Sequence, residues 1–178
     1  MPRLRHYDNL GTARFITFCC YHRHKLLIYD EVRNIFIECL RYILKKHNIE
    51  IFAYFLMPEH VHLVLLPLEN LKLGRIIGTL KSVSGFKSLT YLRANEPETI
   101  KLLQRFEGGK IKEAFWQKRC YDHNCRTIET TLGKIKYCHK NPVFRGLAQD
   151  PADWTWSSYN WYIGRRDVPL EMDEYPVI

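Results

Sequence analysis

The chain has 178 residues, enough to bury one substantial core and short for two, so a single domain with one site is expected over residues 1–178. Its 27 Lys and Arg against 19 Asp and Glu give a net charge of +8, a balance that favours a polyanionic partner such as nucleic acid. No apolar run approaches the roughly 20 residues of a membrane-spanning helix, and the Met1-Pro2-Arg3-Leu4-Arg5 start lacks an apolar leader, so the expectation is a cytoplasmic protein with no membrane partner and six reduced cysteines.

Residues 13–21, rich in aromatic and β-branched types after Gly11, predict a strand. Asp30 is expected to cap a helix from Glu31 to about His47, because Val32, Ile35, Phe36, Cys39, Leu40, Ile43 and Leu44 recur at helical spacing. Asn48 ends it. Two apolar runs, Ile49 to Leu56 and Val61 to Leu66, are split by Met57-Pro58-Glu59 and predict a β-hairpin.

Residues 71–93 place Leu73, Ile76, Ile77, Leu80, Val83, Phe86, Leu89 and Leu92 largely on one helical face, weakened locally by Gly74, Gly78 and Gly85. Lys72, Arg75, Lys81, Lys87 and Arg93 decorate this helix with no acid among them, which suits either a solvated face or a DNA contact. The polar stretch Asn95 to Lys112 is expected to be a mobile loop, and Ala114 to Cys120 a further strand. Thr127 can cap a last helix reaching about Lys140, with Pro142 stopping it after Asn141. Residues 101–145 hold eleven Lys or Arg and four acids, so positive charge concentrates around this helix. The tail from about 165 to 178 turns acidic and is expected to be peripheral.

The order strand, helix, strand, strand, helix, strand is that of an α+β, ferredoxin-like βαββαβ antiparallel sheet with helices on one face, here with an added C-terminal helix. In Met57-Pro58-Glu59-His60-Val61-His62-Leu63-Val64-Leu65, two histidines two apart in a strand leave the same face, their backbones roughly 6 to 7 Å apart. Both rings can then converge on one ion, while Val61, Leu63 and Leu65 point into the core. The same spacing also arises as two half-exposed strand residues. Cys120, His123 and Cys125 lack a fourth ligand for structural zinc.

This M-P-E-H-V-H-L-V-L segment resembles the histidine-hydrophobe-histidine (HUH) signature of single-strand endonucleases, and within them the single-tyrosine insertion-sequence transposases and REP-associated tyrosine transposases. Lys136-Tyr137-Cys138-His139-Lys140-Asn141-Pro142-Val143 is similar to the family's tyrosine helix with its N-P-V pattern. Phe115-Trp116-Gln117-Lys118-Arg119-Cys120-Tyr121-Asp122-His123 resembles its W-Q strand, and Asp153-Trp154-Thr155-Trp156-Ser157-Ser158-Tyr159 its W-x-x-S-S element. The similarity spans about residues 8–160.

The resemblance implies that His60 and His62 hold Mg²⁺ or Mn²⁺ and that Tyr137 is the nucleophile. Asn141, one turn beyond Tyr137, is implied as a third ligand, although an Asn before Pro142 also suits a helix C-cap. His139 points roughly away, and His123 is a further histidine able to approach. Phenols ordinarily titrate near about 10, so such a nucleophile requires a nearby base or cation. The family implies a 5′-phosphotyrosine intermediate and single-stranded DNA hairpins from palindromic repeats as partner, handled by a monomer or a homodimer. Lys72, Arg75, Lys81, Lys118, Arg119, Lys134 and Lys140 are the candidate DNA-binding cations. With aromatic residues at 13 %, the chain also has platforms for unpaired bases. Two rivals remain: a nucleic-acid-binding module without catalysis, and a metal phosphodiesterase in which water attacks.

Overall fold

The architecture is taken from a computed structural model, which describes residues 11–68 and 71–175. In chain order the elements are β1 (Ala13–Cys19), α1 (Asp30–His47), β2 (Ile49–Leu56), β3 (His60–Pro67), α2 (Leu73–Asn95), α3 (Pro97–Leu102), β4 (Gln104–Glu107), β5 (Lys110–Glu113), β6 (Tyr121–Cys125), α4 (Ile128–Phe144) and the short α5 (Tyr159–Tyr162). Four strands form one antiparallel sheet in the order β2-β3-β1-β6, the ferredoxin-like arrangement expected from the element order.

Strand alternation sends side chains to two separate cores. Ile16, Phe18, Val61, Leu63 and Leu65 meet Val32, Phe36, Leu40 and Ile43 of α1 and Leu73, Ile77 and Leu80 of α2. Each large side chain buried there contributes about 1.5–3 kcal/mol. Phe15, Phe55 and Val64 turn the other way and meet Ile135 and Cys138 of α4. A bulge in β2 between Ile51 and Ala53 puts Phe52 and Ala53 together on this second side.

Helix α1 starts without a side-chain cap: Tyr29 occupies the cap position, and Asp30 instead accepts a 2.8 Å hydrogen bond from Arg33. Its end is as expected, with Asn48 left-handed at φ 50°. The stretch expected to be a loop before Lys112 is ordered into α3 and the β4–β5 hairpin, whose turn uses Gly108 and Gly109 at positive φ.

Residues 114–120 do not form the expected strand, apart from one bridge between Cys20 and Trp116. The reason is that Phe115 and Trp116 are core plugs. Trp116 lies edge-on to Phe18, with centroids 4.9 Å apart, and its indole N–H donates to Ser84 Oγ at 3.1 Å. Gly85 makes room, since a Cβ there would sit 3.2 Å from Trp116 Cδ1, and α2 runs unbroken through it. Sheet pairing resumes only at Tyr121.

Pro142 does not stop α4 either. The proline removes one N–H, but the helix continues to Phe144 and closes through Gly146 at φ 65°, with Gly146 N–H donating to Val143 and Leu147 N–H to Pro142. That pattern is a Schellman closure, so Asn141 is not the C-cap; Arg145 is.

The expectation of a peripheral tail is also corrected, as far as residue 175. Leu170 and Met172 are buried in the first core, and Tyr175 packs edge-on against Phe52. Asp173 exchanges hydrogen bonds with the backbone of Ile51, accepting from its N–H at 2.8 Å and donating to its carbonyl at 2.9 Å. The Trp-x-x-Ser-Ser element runs along the same edge: Leu56 N–H donates to Trp156, Ser158 N–H to Tyr54, and Tyr162 Oη to Phe52. These contacts line β2 from Ile51 to Leu56.

Candidate active site

The hairpin connection Met57-Pro58-Glu59 is closed by Met57 N–H donating to His60 at 2.8 Å, and it delivers His60 at the first position of β3. His62 follows on the same face, opposite Thr17 of β1 and Phe55 of β2. The two Nε2 atoms face each other 2.9 Å apart. Each Nδ1 is engaged from behind: His60 Nδ1 with Glu59 Oε1 at 3.1 Å, and His62 Nδ1 with Thr17 Oγ1 at 2.8 Å. This back-side bonding fixes both rings and turns both Nε2 atoms toward one point.

Burial keeps the pair uncharged. It lowers the His60 pKa against the opposing pull of Glu59, and it lowers that of His62 to about 3, where any proton would also be repelled by a charged His60 and by Lys134 and Arg145. Neutral imidazoles are the form that binds metal. Flat against Phe15 (centroids 5.3 Å) and Phe55 (6.4 Å), the His62 ring has little freedom to turn.

The second component arrives on α4. Thr127 caps this helix by accepting from Thr130 N–H, and the buried Ile135 and Cys138 seat it on the sheet. Tyr137 stands edge-on to His62, with centroids 5.4 Å apart, and to Phe15 at 6.0 Å, yet stays 46 % exposed. Arg145, two turns on, donates to Glu59 Oε1 at 3.0 Å. Asn141 lies between them on the same stripe of the helix. It is buried, and its Nδ2 has no hydrogen-bond partner among the described residues; turning the amide over would put Oδ1 in that place.

The donor set fits a small divalent cation. Two cis ligands at about 2.1 Å from an octahedral ion lie about 3 Å apart, as the two Nε2 atoms do. Imidazole nitrogens with an amide oxygen suit Mn²⁺ or Mg²⁺, and softer ions also accept imidazole. Among the described residues no group of three or more His, Cys, Asp or Glu could hold a metal, so any ion here would rest on the histidine pair together with donors of another kind.

Other candidates from the sequence fall elsewhere. His139 is buried with Nε2 against Ser158 Oγ at 3.0 Å, its pKa lowered by burial to about 4, so it ties α4 to the segment before α5. His123 pairs with Phe15 across β1 and stacks on Tyr121, so β1 separates it from His62 on β3. Lys134 lies 4.6 Å over the Phe15 ring, one turn before Tyr137, and Lys140 is exposed one turn after it. Lys118 and Arg119 are exposed just before β6, with Gln117 N–H donating to Cys19 beside His60's partner position. Lys72 and Arg75 are exposed on α2, across the sheet from the histidines. Lys81 is not a free cation: it donates to the carbonyls of Gln117 at 2.6 Å and Lys118 at 3.0 Å, and burial lowers its pKa.

Four residues at the site were not singled out from sequence: Thr17, Arg23, Glu59 and Arg145. The helix stripe Tyr137, Asn141, Arg145 was the available signal for the last, hidden by reading Pro142 as a stop.

Known proteins resemble this chain over most of its length. A Haemophilus influenzae protein named as a REP-associated tyrosine transposase is 25 % identical over 177 residues, covering 99 % of this chain and 92 % of that protein. The solved structure of a REP-associated tyrosine transposase bound to a REP hairpin superposes with a TM-score of 0.68 at 19 % identity, covering 98 % of this chain and 93 % of the other. A Deinococcus radiodurans protein described as a transposase does so at 0.50 and 20 % identity, over 79 % and 97 %. The family model described as "Transposase IS200 like" matches residues 12–131, which include both histidines and end short of Tyr137. With more than half of its length matched in this way, the chain belongs to the IS200-like transposase family.

Proposed function

We propose that this chain is a metal-dependent, single-stranded DNA transposase that cleaves and rejoins DNA at hairpin-forming palindromic repeats through a 5′-phosphotyrosine on Tyr137. The observation that carries the reading is the phenol of Tyr137 standing against His62 while the two histidine Nε2 atoms converge at 2.9 Å. The partial exposure of Tyr137 suits a polymer substrate too large to enter a closed pocket.

In cleavage the Tyr137 oxygen gives up its proton and bonds to phosphorus. The bond from phosphorus to the 3′ oxygen breaks, and that oxygen takes a proton. Rejoining is the reverse, with an incoming 3′ hydroxyl attacking phosphorus and Tyr137 leaving, so the phosphodiester bond energy is conserved without ATP. A bound Mg²⁺ or Mn²⁺ would offset charge on the scissile phosphate and orient the leaving oxygen. His60 and His62 would hold that ion, Asn141 would be the third protein ligand, and Lys134 and Lys140 flank Tyr137, placed to contact the DNA backbone. In one copy of the chain Tyr137 stands against His62, which faces His60, an arrangement that supports cleavage by a monomer.

The test is to incubate the protein with labelled single-stranded hairpins from its gene's flanks and Mn²⁺, and to look on a denaturing gel for a covalent protein–DNA adduct. The expected result is an adduct that disappears in Tyr137→Phe and in His60→Ala. Strand cleavage without an adduct would make water the nucleophile and overturn the tyrosine mechanism. Binding that survives both chelation and Tyr137→Phe without any cleavage would leave a recognition module.

A further inference from the structure

Glu59 is a buried carboxylate on which three parts of the chain meet. Its Oε1 accepts from His60 Nδ1 at 3.1 Å and from Arg145 Nη2 at 3.0 Å, and lies 3.6 Å from Arg23 Nη2. A carboxylate in such a place is costly unless cations and hydrogen bonds attend it. Here the attendants are not local: one guanidinium follows β1 and the other ends α4.

Both arginines reach Glu59 through backbone conformations that the fold must hold. Arg145 is the C-cap of α4, set by the turn at Gly146, and its own N–H donates to Asn141. Arg23 follows His22, and the two stand in succession at φ 48° and 57°, left-handed values that non-glycine residues adopt only where their surroundings impose them. Hydrogen bonds from Cys20 N–H to Glu59 and from Leu27 N–H to Pro58 dock that segment on the hairpin connection.

We propose that Glu59 is a positioning residue that couples the tyrosine helix to the metal-binding histidines, so that seating the last turn of α4 and aiming His60 Nε2 are one event. The inference rests on the metal-binding reading above. Through the chain Arg145, Glu59, His60, a helix end that moves away releases the hydrogen bond that orients the first ligand. In the other direction, an ion that fixes His60 fixes Glu59, and with it Arg145, Asn141 and Tyr137. Coupling of this kind is reciprocal by thermodynamic necessity.

The experiment measures hydrogen exchange of the α4 amides in the full chain, with and without Mn²⁺ and without DNA, alongside Mn²⁺ affinity. In the native protein Mn²⁺ is expected to slow α4 exchange by about fivefold or more, the lower range for coupled sites. In Arg145→Met that slowing falls below about twofold and Mn²⁺ binds more weakly, while Arg145→Lys recovers part of both. The direction is diagnostic, because removing a cation from beside a dication would by simple charge repulsion tighten Mn²⁺ binding. Equal slowing in the native protein and Arg145→Met, or tighter Mn²⁺ binding in that variant, would overturn the coupling. If instead His60→Ala binds Mn²⁺ as the native protein does, the metal-binding reading itself fails, and the two failures are told apart.

Discussion

The two faces of the same four strands have been put to opposite uses. Toward α1 and α2 the sheet presents Ile16, Phe18, Val61, Leu63 and Leu65, which interlock with Phe36, Leu40 and Leu80 into the larger core. Toward α4 it presents Phe15, Thr17, Phe55, His60 and His62, a mixture in which rings hold rings in orientation and every polar atom of the histidine pair has a partner. Period-two alternation allows this: Val61 lies between the histidines yet contributes only to the first core. The difference teaches that stability and chemistry can be separated by one step along a strand. Changes on one face should move folding, and changes on the other should move reactivity.

The sharpest way to break that comparison is His62→Ala. It should abolish adduct formation, by at least about 10³-fold on the scale of removing an essential catalytic group, while a thermal melt of the metal-free protein changes little, because it removes a desolvated polar ring. A large drop in Tm would mean that the second face is also structural. On the first face, Phe36→Ala should cost about 3–5 kcal/mol by leaving a cavity, read in a denaturant titration, with unaltered activity per folded molecule. Equal losses of activity and stability at both positions would erase the distinction.

The pH dependence of stability sharpens it further. Unfolded histidines take up protons near 6.5, whereas His62 and His139 resist until about 3 and about 4 in the folded chain. The unfolded state therefore binds more protons across that window, so the stability present above about pH 6.5 is lost as pH falls toward 4. By pH 5 each buried histidine should account for about 1–2 kcal/mol. Tm measured from pH 7 to 4.5 without metal should fall more steeply in the native protein than in His139→Gln, and parallel slopes would refute the assignment. The smallest effect expected is from Thr17→Val, which removes the hydroxyl behind His62 Nδ1: Mn²⁺ affinity should fall at least about tenfold, with cleavage following the occupancy and Tm nearly unchanged.

Legibility in the sequence follows the range of the interaction. Three strands of the sheet, α1 and α2 are legible because they rest on patterns within single segments, whereas β6 falls at Tyr121–Cys125, after the 114–120 stretch expected to form it; the histidine pair is legible because strand geometry alone puts positions two apart on one face. The tyrosine was readable only through resemblance, since nothing local separates Tyr137 from ten others. What escaped depends on distant partners. Residues 114–120 carry strand-like residue types, yet Trp116 is claimed by Phe18 and Ser84. Lys81 stands among the candidate DNA-binding cations in the sequence, where the carbonyls it holds lie 36 and 37 residues away. The Arg145 contact with Glu59 spans 86 residues, a separation no pattern reports.

The covering of β2 by the chain from Trp156 onward has a consequence for how copies of this chain behave in a crowded solution. An outer strand with its N–H and C=O groups open is a template onto which another chain can add a strand. Here Trp156, Ser158, Tyr162 and Asp173 occupy that row with irregular backbone and side-chain contacts, which cannot be propagated as a ladder. The segment that reads as appended therefore occupies the row on which another chain could build, and because Ser158 also holds His139 of α4, peeling it away would both open that row and loosen the tyrosine helix.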